Sequence, residues 1–184
     1  MHKLVKKILV GVMTATMALG SVTTAFAATS PVKPIAKPVS KSNVKATNGS
    51  TVSTSKKGYA SLKSVKKTSA KTVTVSKKVK VGKVYYTVTK INAYSFKNAS
   101  KATKVKLPST ITTINSKAFS GAKSLKTIVV TSKKAPSVSK TAFKGLNTKK
   151  MTIAVKKTMS KSQQKTFKAR LKKAGYKGKF KVVK

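Results

Sequence analysis

Several apolar positions of this chain recur together at one spacing. Ile91 returns as Ile114 and Val138, and Phe96 as Phe119 and Phe143. Val105 returns as Ile128 and Met151, and Leu107 as Val130 and Ile153. Every step is 23 or 24 residues. An Ala-Phe pair is kept at Ala118-Phe119 and Ala142-Phe143, with Ser95-Phe96 in the first copy. A unit this short cannot enclose its own apolar face. Neighbouring copies must therefore stack and share one core, and about three are needed for stability.

Within each copy, alternating apolar residues predict one short strand: Val105–Leu107, Ile128–Val130 and Met151–Val155. Stacking aligns these strands in a parallel ladder, and the Ile and Phe positions close the opposite wall. The predicted fold class is α+β: a short leucine-rich-repeat solenoid with a parallel strand ladder, an N-terminal β-hairpin cap and a C-terminal helical cap. The period falls in the leucine-rich repeat range.

The flanks divide the rest of the chain. Residues 1–27 read as a secretory signal, with Lys3, Lys6 and Lys7 before the apolar stretch Ile8–Leu19 and a cleavage site after Ala25-Phe26-Ala27. Residues 28–58 carry Pro31, Pro34 and Pro38 among Ser, Thr and Lys, with few large apolar side chains, and are expected to be a disordered linker. Residues 59–90 are expected to form the N-terminal β cap. There Val73 and Val75 alternate with Thr, and Val79, Val81, Gly82-Lys83 and Tyr85–Val88 suggest a hairpin. The repeats cover 91–155 and the helical cap 156–184. Ser160-Lys161-Ser162-Gln163 matches a capping box and Gly175 a helix stop. Phe167, Leu171 and Ala174 share one helical face, and Phe180, Val182 and Val183 suggest a last strand.

The turn Ile91-Asn92-Ala93-Tyr94-Ser95-Phe96 is repeated as Ile114-Asn115-Ser116-Lys117-Ala118-Phe119, followed by Ser120-Gly121-Ala122-Lys123-Ser124-Leu125-Lys126-Thr127-Ile128. This pattern resembles the BspA-like class of bacterial surface leucine-rich repeats, over roughly residues 72–184. The resemblance implies a leucine-rich repeat fold and a role in surface interaction or adhesion. Asn stands where that family often has Gly, and the acidic residues common in the family are absent.

The charge is as unusual as the period. The chain has 43 Lys and Arg, Arg170 being the sole arginine, and no Asp or Glu. At ordinary usage, drawing no acid in this length has a probability on the order of 10⁻¹⁰. Such a polycation must meet polyanions, because nothing within it can neutralise it. The single His2 leaves with the signal and there is no Cys, so the residue types that build zinc, calcium and transition-metal sites are missing. No metal and no cofactor are expected, and no disulfide can brace the fold. Ser-x-x-Lys occurs at Ser53/Lys56, Ser64/Lys67, Ser120/Lys123, Ser137/Lys140 and Ser162/Lys165, as chance produces at this lysine content. No spacing singles out a nucleophile, so an enzyme is not expected.

The candidate polyanion-binding residues are Lys104, Lys106, Lys126, Lys149 and Lys150. Alternation leaves Lys104 and Lys106 on the outer face of the first strand. The period aligns Lys104 with Thr127 and Lys150, and Lys106 with Val129 and Thr152, making the first and third rungs cationic. Lysine is a mobile, hydrated point charge and suits diffuse attraction. The expected molecule is a secreted or cell-surface, monomeric, non-enzymatic adhesion module. Its expected partners are wall polymers, acidic glycans or anionic membrane surfaces, and it would bind nucleic acid non-specifically in vitro. The alternative is a cationic membrane-active or toxin-like protein whose basic helix lies on anionic membranes.

Overall fold

The computed structural model describes residues 36–184. The signal reading and the first part of the expected linker lie outside the described residues. The strands are β1 (Lys41–Lys45), β2 (Thr51–Thr54), β3 (Tyr59–Ser64), β4 (Thr72–Thr74), β5 (Lys78–Val81), β6 (Val84–Ile91), β7 (Lys104–Leu107), β8 (Thr113–Ile114), β9 (Thr127–Val130), β10 (Ser137–Val138), β11 (Thr152–Lys156) and β12 (Lys179–Val183). One α-helix, α1 (Lys161–Lys173), precedes β12, and short 3₁₀ turns lie at Lys97–Ala99 and Thr148–Lys150. The strands form two sheets. The first runs β1-β2-β3-β6-β8-β10, with β5 also paired to β6. The second runs β4-β7-β9-β11-β12 and is parallel throughout. This is a small leucine-rich-repeat-like α+β fold of parallel ladders with one C-terminal helix.

The repeat positions meet as their spacing requires. Ile91, Ile114 and Val138 are in register across β6, β8 and β10. Phe96 stacks on Phe119 with ring centroids 5.2 Å apart, and Phe119 on Phe143 at 5.6 Å, with planes within 6° and 4° of parallel. Tyr176 ends this column, tilted 5.3 Å from Phe143. The Asn positions also form a rung, since Asn115 Nδ2 donates to Asn92 Oδ1 at 2.7 Å. Tyr94 and Lys117 occupy the same place in successive turns, and both adopt the left-handed backbone region (φ 57° and 52°). Ser95, where later copies have Ala, is buried and donates to the Leu62 carbonyl at 2.8 Å, tying this turn to β3.

Four expectations are corrected. First, part of the expected linker is folded: β1 and β2 lie within it, and β2 pairs antiparallel with β3. Val52 is 0% exposed and Ala46 and Thr54 are also buried. Small side chains suffice there because the edge of β3 supplies backbone hydrogen-bond partners. The Pro38-Val39 end is tied in as well, Val39 N–H donating to the Tyr86 hydroxyl at 2.8 Å.

Second, Val73 does not belong with the hairpin. The β5–β6 hairpin forms as expected, pairing Val79 with Tyr86 and Val81 with Val84. β4, however, pairs with β7 and opens the second sheet.

Third, the third repeat strand begins at Thr152 and aligns Ile128 with Ile153 and Val130 with Val155. The 3₁₀ turn Thr148–Lys150 takes up two extra residues, so Met151 is buried just before the strand. A shift of two keeps every side chain on its face.

Fourth, the capping box is only half made. Ser160 Oγ accepts from Gln163 N–H at 3.3 Å, but the Gln163 side chain turns away and accepts from Ala135 N–H at 2.8 Å. The Arg170 guanidinium donates to the carbonyl of the same Ala135. Helix α1 thereby clamps the segment before β10, with Phe167 and Leu171 buried beneath it.

β12 reaches its place through a close approach. A Cβ on Gly178 would collide with both the Met151 and the Thr148 carbonyl oxygens. Gly178→Ala is therefore expected to destabilise the fold by about 1–3 kcal/mol, the usual cost of overpacking, and a thermal melt checks it.

Tyr176 is buried, and desolvation pushes its phenol up to about 12. The folded state holds this proton longer than the unfolded chain, whose tyrosines titrate near about 10. The resulting stability is complete below pH 10 and is lost as pH rises from about 10 toward about 12. Tyr176→Phe should flatten the alkaline fall in denaturation midpoint, measured against wild type so that lysine titration is common to both.

Candidate functional site

The second sheet turns alternate residues inward and outward, and pairing lines the outward ones up in two rows. One row is Thr72, Lys104, Thr127, Thr152 and Lys179. The other is Thr74, Lys106, Val129, Ala154 and Lys181. The inward row Val73, Val105, Ile128, Ile153 and Phe180 packs into the core. These apolar contacts hold the outer rows in place, and Pro108 ends β7 immediately after Leu107.

Lys104 and Lys106 are exposed on β7, and Lys179 and Lys181 are exposed on β12. Between the two pairs lies an uncharged floor of Thr127, Val129, Thr152 and Ala154, all half-buried or buried. Two residues along a strand span roughly 6.6 Å, and three strand spacings span about 14 Å. The four backbone positions thus mark a rectangle of about those dimensions. No Asp or Glu exists in the chain to pair with any of these lysines.

The expected site residues divide accordingly. Lys104 and Lys106 stand on the outer face, as alternation requires. Lys126 lies one residue before β9, and Lys149 and Lys150 lie in the 3₁₀ turn before β11. All three are exposed, but along the N-terminal margin of the sheet rather than in its rows. Lys104 aligns with Thr152 and not with Lys150, so the third rung is neutral. The second cationic rung is β12, which sequence reasoning did not connect to Lys104 and Lys106. Its signal was the alternation of Lys179 and Lys181 with Phe180 and Val182.

Comparison with known proteins adds one finding. The family model for the BspA type leucine rich repeat region matches residues 89–181 in six copies. No curated protein matches the chain, and no solved structure does. The match supports a repeat-based binding or adhesion module, typically non-enzymatic and surface-associated in bacteria. It spans both walls of the stacked turns and most of β12. This chain belongs to the BspA-type leucine-rich repeat family.

Proposed function

We propose that the protein is a secreted, non-enzymatic adhesion module that holds polyanionic envelope or host-surface polymers on the outer face of its second sheet. The ladders form a short solenoid in this reading, with the N-terminal strands and α1 covering its ends. The observation that carries the proposal is the register of β7 and β12, which sets two lysine pairs on one face across a neutral floor. A face with a lysine pair on either side of a neutral floor suits an extended polymer carrying phosphate or sulfate, and lysine demands no particular orientation of either group. β12 is an edge strand among the described residues, and lysines on an edge oppose pairing between copies. This supports a monomer. The rival membrane-active reading requires an apolar helical face free for lipid, whereas Phe167 and Leu171 of α1 are buried against the fold.

The test compares two fourfold variants against poly(glycerol phosphate) and a sulfated glycan. Lys104→Gln, Lys106→Gln, Lys179→Gln and Lys181→Gln together should weaken binding by at least tenfold. Lys56→Gln, Lys57→Gln, Lys83→Gln and Lys144→Gln remove the same charge from exposed turns and should cost much less. Equal losses would remove the sheet face from the reading.

A further inference from the structure

We propose a second binding site, at the N-terminal end of the core, for a single-chain anionic amphiphile: one alkyl chain bearing a phosphate or carboxylate head. Where the second sheet begins at β4, a cavity of about 240 Å³ opens between the two sheets. Its apolar wall is Leu62, Val65, Val73, Val75, Val79 and Val88, all buried, and polar residues of the β1–β2 turn and of β4 complete the lining. Apolar cavities of about 150 Å³ already take small apolar molecules. This one lies below the roughly 300–1,000 Å³ of drug-sized sites, which favours a single chain over a paired-chain lipid.

The lip of the cavity is cationic. Lys66 and Thr68 line it and also line an adjoining open hollow that contains Lys67 and Lys101. Backbone pairing sets these lysines together. Thr68 N–H donates to the Asn98 carbonyl at 3.1 Å, and Asn98 Nδ2 donates to the Val65 carbonyl at 3.3 Å. The segment after β3 is thus pinned beside the segment after β6. The Lys66 stem packs on the β1–β2 turn, where a Cβ on Gly49 would lie 3.0 Å from Lys66 Cδ. A lysine in this position covers apolar wall with its methylenes and keeps its ammonium at the lip.

A largely apolar slot lined by Lys66, beside a hollow that adds Lys67 and Lys101, complements a molecule with one apolar end and one anionic end. A polymer without an alkyl chain would leave the slot unused. A neutral alcohol would gain nothing from Lys66, Lys67 and Lys101. The site therefore asks for an alkyl chain that the outer face of the second sheet does not, and it meets that face only at β4, where Thr72 and Thr74 also line the cavity.

The experiment titrates the full chain, methyl-labelled at valine, with dodecyl phosphate below its micelle threshold. Saturation at one equivalent is expected, with shifts concentrated at Val65, Val73, Val79 and Val88. Dodecanol and inorganic phosphate should each bind at least tenfold more weakly. The double variant Lys66→Gln, Lys101→Gln changes only exposed residues and should weaken dodecyl phosphate about tenfold, the scale of one charge-assisted hydrogen bond. Val73→Phe should block the slot. If that variant fails to fold, the lysine pair decides. The variant lacking Lys104, Lys106, Lys179 and Lys181 should still saturate at one equivalent with the same valine shifts, and should lose less affinity than Lys66→Gln, Lys101→Gln, which separates this site from the adhesive face. The proposal is overturned if shifts spread over the second sheet without saturating, or if phosphate alone binds as tightly. It is also overturned if phosphatidylglycerol vesicles bind while the monomer does not.

Discussion

Phe119→Ala should lower the melting midpoint by roughly 6–20 °C, the largest loss expected from any single substitution considered. Phe119 is fully buried and is sandwiched between Phe96 and Phe143. Truncating a buried Phe to Ala costs about 3–5 kcal/mol through lost transfer energy and a residual cavity. In a chain of this size each kcal/mol moves the midpoint by about 2–4 °C. The rings above and below are anchored in neighbouring turns and cannot close a gap of this size. Phe96→Ala removes only one stacked neighbour and should cost less. A circular dichroism melt of the three proteins measures both the loss and its order. An unchanged midpoint for Phe119→Ala would show that the stacked column does not hold the repeats together.

The second large effect is in binding. Affinity for a wall polymer or sulfated glycan should fall steeply as salt rises, along a straight line in log–log form. Each lysine that neutralises an anionic group releases condensed counterions. Four such contacts at the B-DNA value give a slope near about −3.6, or roughly a hundredfold loss between 50 and 200 mM salt. Replacing Lys104 and Lys106 by Gln should flatten the slope by up to about 1.8, and replacing Lys179 and Lys181 as well by up to about 3.6. The absence of every Asp and Glu sharpens this expectation, because no internal carboxylate competes for the lysines. Titrations at several salt concentrations measure the slope. Tight binding to one polymer that survives high salt would mean a shaped pocket and would overturn the diffuse electrostatic reading. A slope unchanged in the fourfold variant would move the docking surface elsewhere.

Much of the repeat region was legible because its information is local and redundant. Ile91, Ile114 and Val138, and the three Phe positions, each repeat a core-facing role that only one stacking satisfies. The β5–β6 hairpin was legible through Gly82-Lys83 between alternating runs. The folding of β1 and β2 was not. Val52 and Ala46 are too small and too few to announce a core, and they are buried only because β3 and the turns beside it are already in place.

The candidate face divides in the same way. Alternation alone put Lys104 and Lys106 on the outside, and composition alone established that no acid would meet them. The period determined that strands stack, and the alternation determined which side of each strand faces water. Only the tertiary structure decided which strands are neighbours. It added β4 and β12 to the ladder, moved Lys150 off the third rung, and brought Lys179 and Lys181 into line with Lys104 and Lys106. A pattern of period two is unchanged by a shift of two residues, so it specifies the face and leaves the rung open. The rung is chosen by hydrogen bonds between distant segments, by the two-residue excess in the turn at Thr148–Lys150, and by the absence of a side chain at Gly178.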